Sequence, residues 1–223
     1  MFILLKKILK TSDNSHTIYV PNLNETYHSI YGAITESNHI FIKNGLLRKL
    51  DVNEISILEI GYGTGLNILL SYHESRGSNK NINYTAIEPF PLNLEILDKL
   101  NYLNFFEEKD LSKIFFNIHK SKFDVKYKLG DKFHLIKKKI KIENLNLSNK
   151  YDLVYFDLFA PRVQPNLWTV KIFKQIYDIM NFGSILVTYC SKGYVKRNLK
   201  ECGFKIESCP GPPGKREITR AVK

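Results

Sequence analysis

The feature that most restricts what this chain can fold into is Glu59-Ile60-Gly61-Tyr62-Gly63-Thr64-Gly65, which closes the apolar run of residues 55–60 and opens an amphipathic stretch over residues 66–75. A buried strand that turns this abruptly into a helix needs backbone freedom that residues with a Cβ rarely provide. The same glycines let a ligand approach the main chain closely. The exposed N–H groups of the helix start favour a carboxylate or a phosphate at that turn. The segment therefore predicts a strand-turn-helix unit with a bound small molecule at its bend.

Similar units recur toward the C-terminus. Strand-length apolar runs at residues 84–87, 125–129, 153–156 and 184–189 alternate with helical stretches at 92–100, in the Lys-rich segment after Asp131, at 168–180 and at 192–202. Residues 204–209 and 218–222 read as a terminal antiparallel pair. Alternation of this kind predicts an α/β, Rossmann-like fold: a mostly parallel seven-stranded sheet with an antiparallel last strand and helices on both faces. Residues 1–45 read as a small β-rich extension, with a strand at 17–20 and breaks at Pro21, Asn22, Asn24 and Gly32. It leads into a core over residues 46–223, the two forming one domain. Lys6 and Lys7 interrupt the apolar start, so residues 1–10 are expected to be a strand and not a secretory signal.

A chain of 223 residues, 43% hydrophobic, is large enough for one core. No apolar run approaches the roughly 18 residues that would span a bilayer. The three cysteines, Cys190, Cys202 and Cys209, lack CxxC spacing, and the six histidines form no HxxxH or HxH pair, so neither a disulfide framework nor a metal site is expected. A soluble, cytoplasmic protein without membrane or metal partners is the resulting expectation. The net charge of +11 suits a polyanionic partner such as RNA. Richness in Lys, Asn and Ile offers a plain compositional alternative.

Within the first turn the spacing is GxGxG, not the dinucleotide GxGxxG, and Glu59 precedes it inside the strand, a departure from NAD-binding enzymes toward methyltransferases that use S-adenosylmethionine. Glu88 ends the second strand, where a carboxylate accepts ribose hydroxyls, and Asp131 ends the third, where one accepts from an adenine amino group. Gly61, Gly63, Gly65, Asn67, Glu59, Glu88 and Asp131 are thus the candidate cofactor-binding residues. Each acid taken singly is also an ordinary loop residue or helix cap. After the fourth strand, Asp157-Leu158-Phe159-Ala160-Pro161 frames a carboxylate with an aromatic ring and a proline, as a clamp for an amine or a base. Trp168 either stacks a base or anchors the following helix. Lys215 and Arg216, in the loop of residues 211–216, either meet phosphates or sit in a rigid exposed turn.

Taken together, the 59–67 segment, Asp157-Leu-Phe-Ala-Pro161, Asn166-Leu-Trp-Thr169 and Lys215-Arg-Glu217 resemble the MnmC-type tRNA methyltransferases, over essentially the whole chain. The resemblance implies S-adenosylmethionine as cofactor and methylation of the aminomethyl group of a wobble uridine, or its 2-thio form, in the anticodon region of tRNA. It implies Asp157 as the residue that holds the amine, and Phe159, Pro161, Trp168, Lys215 and Arg216 as substrate-binding residues. It suggests the stand-alone type without an FAD-dependent oxidoreductase domain. Three other readings stay open on the residues alone: an NAD-dependent oxidoreductase, a non-catalytic RNA-binding protein on the same fold, and a methyltransferase for another RNA or a small amine.

Overall fold

The computed structural model describes residues 6–223. Of the expected N-terminal strand, residues 1–5 lie outside the described residues, and Lys7–Lys10 form β1. β1 pairs antiparallel with β2 (His16–Val20), and β2 with β3 (Glu25–Thr26), in a three-stranded sheet. The rest of this region is not β-rich as expected. Ala33–Ser37 is a helix, α1, that runs into a π-helical turn over Asn38–Lys43. Residues 33, 37, 40 and 41 recur at helical spacing, so Ala33, Ile40 and Phe41 are buried on one side. The carboxylate of Asp13 ties the two parts together, accepting from the backbone N–H of Ser15 and of Thr35, each at 2.9 Å.

Beyond it the chain forms β4 (Glu54–Ile60), α2 (Leu66–Ser75), β5 (Asn81–Ile87), α3 (Leu94–Leu97), α4 (Leu111–Lys120), β6 (Tyr127–Gly130) and β7 (Phe133–Lys138). Then come β8 (Tyr151–Phe156), α5 (Val170–Asp178), β9 (Met180–Thr188), α6 (Gly193–Glu201), β10 (Lys205–Pro210) and β11 (Glu217–Val222). They build one sheet of order β10-β11-β9-β8-β4-β5-β7-β6. The pairs β4·β5, β4·β8, β5·β7 and β8·β9 are parallel, while β11 runs antiparallel to both β9 and β10. The mixed sheet and its antiparallel last strand match expectation, but it has eight strands and not seven.

The additional strand is β7, in the Lys-rich segment expected to be helical. Phe133, Leu135 and Lys137 are buried and alternate with partly exposed neighbours, a two-residue period. β6 then becomes the antiparallel edge of a hairpin whose turn carries Asp131. α3 is also shorter than expected. It starts at the Asn93 cap, whose side chain accepts from Ile96 N–H at 3.1 Å, and α4 is a separate helix that the apolar pattern had not suggested.

The central strands are apolar on both faces because both are covered. One face packs Ile57, Tyr84 and Tyr155 against Phe41 and Leu69. The other packs Leu58, Val154 and Phe156 against Trp168, Ile172 and Phe173. β4 lies between β5 on one side and β8 on the other, so chain connections diverge at its carboxyl end. Open α/β sheets bind ligands at such switch points.

Candidate active site

A cavity of about 740 Å³ lies over the carboxyl ends of β4, β5 and β8, within the usual range for small-molecule sites. The loop after β8 and the three-stranded sheet help enclose it. Tyr27 meets Phe159 edge-to-face with centroids 5.1 Å apart, and Arg162 pairs with Glu25 at 2.8 Å.

The glycine turn enters this cavity from below. Gly61 N–H donates to the carbonyl of Ile87 at 2.9 Å, holding the turn against β5. Gly61 has φ +85°, and a Cβ there would lie 2.5 Å from the carbonyl oxygen of Asp157, so glycine is required both by conformation and by contact. Gly63 also lines the cavity, and its N–H faces Glu88 Oε2 at 3.4 Å. Gly65 lies outside the lining. It bends the backbone into α2 with φ +75°, and its open side faces His119.

Glu88 lines the cavity at the end of β5, and its other carboxylate oxygen accepts from Phe90 N–H at 2.9 Å. Burial raises its carboxyl above the ordinary range. Asp157 lines the cavity at the end of β8, where its N–H donates to the carbonyl of Ile60 at 3.0 Å. Burial comes first in raising its carboxyl well above the ordinary range, with the charges of Glu59 and Glu36 adding to it. One side-chain amide links the acids: Asn67 Nδ2 donates to Glu59 Oε1 and to Asp157 Oδ2, each at 2.9 Å. Asn67 Oδ1 is buried without a hydrogen-bond partner.

Several expected residues sit elsewhere. Glu59 is fully buried beneath the cavity and does not line it. It accepts from Tyr84 O–H at 2.9 Å and from Asn67, and burial raises its carboxyl to about 7. Its link to the cavity is Asn67, which lines it. Asp131 is exposed, pairs with Lys128 at 2.9 Å and lies outside the lining. The parallel strand reaching the site is β7, and residues 140–143 beyond it line the cavity in place of Asp131. Trp168 is fully buried, and its indole N–H donates to the carbonyl of Phe159 at 3.1 Å. It therefore anchors the loop and has no face for a base. Pro161 and Arg216 also lie outside the lining, one buried and the other exposed. Phe159 lines the cavity. So does Lys215, which turns inward to Glu36, its Nζ 3.4 Å from Oε1.

The sequence pattern had not singled out Glu36, Tyr27, His28 or Tyr189, which also line the cavity. Tyr189 directly follows β9 and its O–H donates to the carbonyl of Leu158 at 2.8 Å. His28 is buried, and burial lowers its imidazole to about 4, so it is neutral at physiological pH. A charged residue inside a short helix carries no signal that it points to a cavity, and only the helix turn at 33–37 would have hinted at Glu36.

Glu36, Glu88 and Asp157 occupy the less exposed part of the lining with Lys215 beside Glu36, whereas Lys141 and Lys192 are exposed at its edge together with Glu143. The glycine cradle and the Glu88 carboxylate suit the methionyl and ribose parts of a nucleoside sulfonium cofactor.

A family model described as S-adenosyl-L-methionine-dependent methyltransferase matches residues 104–223, more than half of the chain. The chain belongs to this family. The cofactor of the methyltransferase is S-adenosylmethionine. It is 30% identical, over 93% of its length, to the tRNA 5-methylaminomethyl-2-thiouridine biosynthesis bifunctional protein MnmC of Leptospira interrogans, and covers 34% of that relative. It is 27% identical to the protein of the same name from Cupriavidus metallidurans, covering 93% of the present chain and 33% of the relative. The methyltransferase thus spans about a third of the length of these curated relatives. The crystal structure of MNMC2 from Aquifex aeolicus shares its fold, with a TM-score of 0.81 at 23% identity over 98% of this chain and 70% of that one. Among the described residues no helix is long and apolar enough to cross a membrane.

Proposed function

We propose that this methyltransferase N-methylates the amine of a 5-aminomethyl-uridine, or its 2-thio form, at the wobble position of tRNA, giving 5-methylaminomethyl-(2-thio)uridine. The observation that carries the proposal is the polarity of the cavity: carboxylates in its interior for an amine, cations at its exposed edge for the phosphates that bear it. The MnmC relatives, similar over 93% of this chain, support it. The cytoplasm, where tRNA is found, is the proposed location.

S-adenosylmethionine, when bound, supplies an electrophilic methyl group on sulfur. Gly61, Gly63 and Glu88 would hold it, with Glu59 acting from below through Asn67. The protein then has to present an uncharged amine in line with that methyl group and keep water out. Asp157 accepts a hydrogen bond from the substrate ammonium and takes one proton from it, so that a neutral nitrogen attacks the methyl group and the positive charge ends on the methylated product. Burial, which raises its carboxyl above the ordinary range, strengthens Asp157 as a proton acceptor. Asn67 keeps Asp157 Oδ2 oriented. Tyr27 and Phe159 close the cavity from opposite elements and exclude solvent.

The test is incubation of the purified protein with radiolabelled S-adenosylmethionine and tRNA from cells lacking the gene, with the labelled nucleoside identified by mass spectrometry. Label in 5-methylaminomethyl-uridine or its 2-thio form is expected. Cofactor binding with label in no tRNA nucleoside would discard the substrate.

A further inference from the structure

One ion pair inside the cavity plays no part in the proposed methyl transfer. Glu36 is 8% exposed, and one of its oxygens is committed to the backbone N–H of Ser29 at 2.6 Å. The other faces Lys215 Nζ at 3.4 Å. Lys215 is held inward by its own loop, where Lys215 N–H donates to the carbonyl of Pro212 at 2.9 Å and Gly211 N–H to that of Arg216 at 3.1 Å. Its ammonium also lies 5.0 Å from the ring centroid of Tyr189, whose hydroxyl is bonded to Leu158, the residue after Asp157. Glu36, Lys215 and Asp157 line the same cavity. Beside Asp157, the buried Asn67 Oδ1 is an acceptor without a donor.

The end of a lysine side chain is a methylene carrying an ammonium group, and so is a protonated aminomethyl substituent. We propose that Glu36 and Asp157 form a two-carboxylate seat for the substrate amine, and that the Lys215 ammonium, paired with Glu36, holds the Glu36 side of this seat until the substrate amine displaces it. The inference rests on the aminomethyl-uridine substrate and adds Glu36 as a substrate-binding residue and Lys215 as its resident counter-ion. The looseness of the 3.4 Å pair and the 28% exposure of the lysine side chain suit a cation that leaves readily.

The experiment compares binding of two tRNAs, identical except for an aminomethyl group on the wobble uridine, to protein saturated with S-adenosylhomocysteine. Wild type is expected to prefer the aminomethylated tRNA. Glu36→Gln is expected to cut that preference about tenfold, the scale of losing one desolvated charge partner, with affinity for the unmodified tRNA and for S-adenosylhomocysteine unchanged. Lys215→Met, at a more exposed position, removes the competitor and is expected to raise the preference about threefold or more. A Glu36→Gln protein that keeps the wild-type preference, or that weakens both tRNAs alike, would overturn the seat. So would a Lys215→Met preference no higher than wild type's. A wild-type protein without any preference would overturn the substrate reading itself, and the seat with it.

Discussion

Asp157 is subject to opposed influences whose balance sets its chemistry. Burial and the neighbouring carboxylates Glu59 and Glu36 favour its protonated form, whereas the Asn67 amide and Lys215 favour its ionised form. Asp157→Asn keeps the shape and the contact with Asn67 but cannot take a proton. Its kcat is expected to fall about a hundredfold or more with S-adenosylhomocysteine affinity unchanged, as steady-state kinetics and calorimetry would show. Equal turnover would remove Asp157 from the reaction. Trp168 shows how little a residue type says by itself. An indole suits a base and a core equally well, and only the 3.1 Å bond to the carbonyl of Phe159 and full burial assign it to the core. Trp168→Phe should therefore cost about 1 kcal/mol of stability by chemical denaturation and lower kcat far less than Asp157→Asn does. Asp157 reaches the cavity because its strand, β8, runs parallel to β4 and ends at the site. Asp131 looked equivalent and was not, because its strand turned out to be a hairpin edge.

At the scale of elements, β7 was hidden by Lys137. Counted as polar, it breaks the two-residue period of the strand. In the fold its ammonium donates to the carbonyl of His119 at 2.7 Å and lies 4.8 Å from the Phe123 ring, so it counts as an inward residue. Burial lowers its ammonium to about 8. β4 carries a different buried charge. Because Glu59 is raised to about 7, the folded protein keeps a proton there that the unfolded chain loses above the ordinary carboxylate range. Its contribution to stability is fully present at low pH and is lost as pH rises toward 7. Glu59→Gln, whose amide oxygen can accept from Asn67 while its amide nitrogen donates to the Tyr84 hydroxyl, removes this dependence. Melting temperatures between pH 5 and pH 8 should fall more for wild type than for the variant, by a difference worth about 3 kcal/mol. Parallel pH profiles would mean that Glu59 titrates as an ordinary acid.

At the scale of the molecule, the formal charge of +11 becomes specific only through where it lies. Lys141 and Lys192 stand at the exposed edge of a cavity whose interior is acidic. Replacing either with Glu should weaken tRNA binding and lower the slope of log affinity against log salt by about one phosphate contact or more, while S-adenosylhomocysteine binding stays constant. An unchanged slope would move the nucleic-acid face elsewhere. The strand-turn-helix at residues 55–75, the alternation beyond it and the terminal antiparallel pair were legible in the sequence because each is set by local rules: hydrophobic period, turn glycines and element length. The family match covers the part of that core from residue 104 to residue 223. Which acids meet was decided by tertiary structure alone. The partners of Glu59, Glu36 and Asp157 come from β5, α2 and the loop after β10, far apart in the chain. Residue type and local spacing carry no information on side chains that meet only when a sheet of eight strands brings its carboxyl edge under the N-terminal sheet.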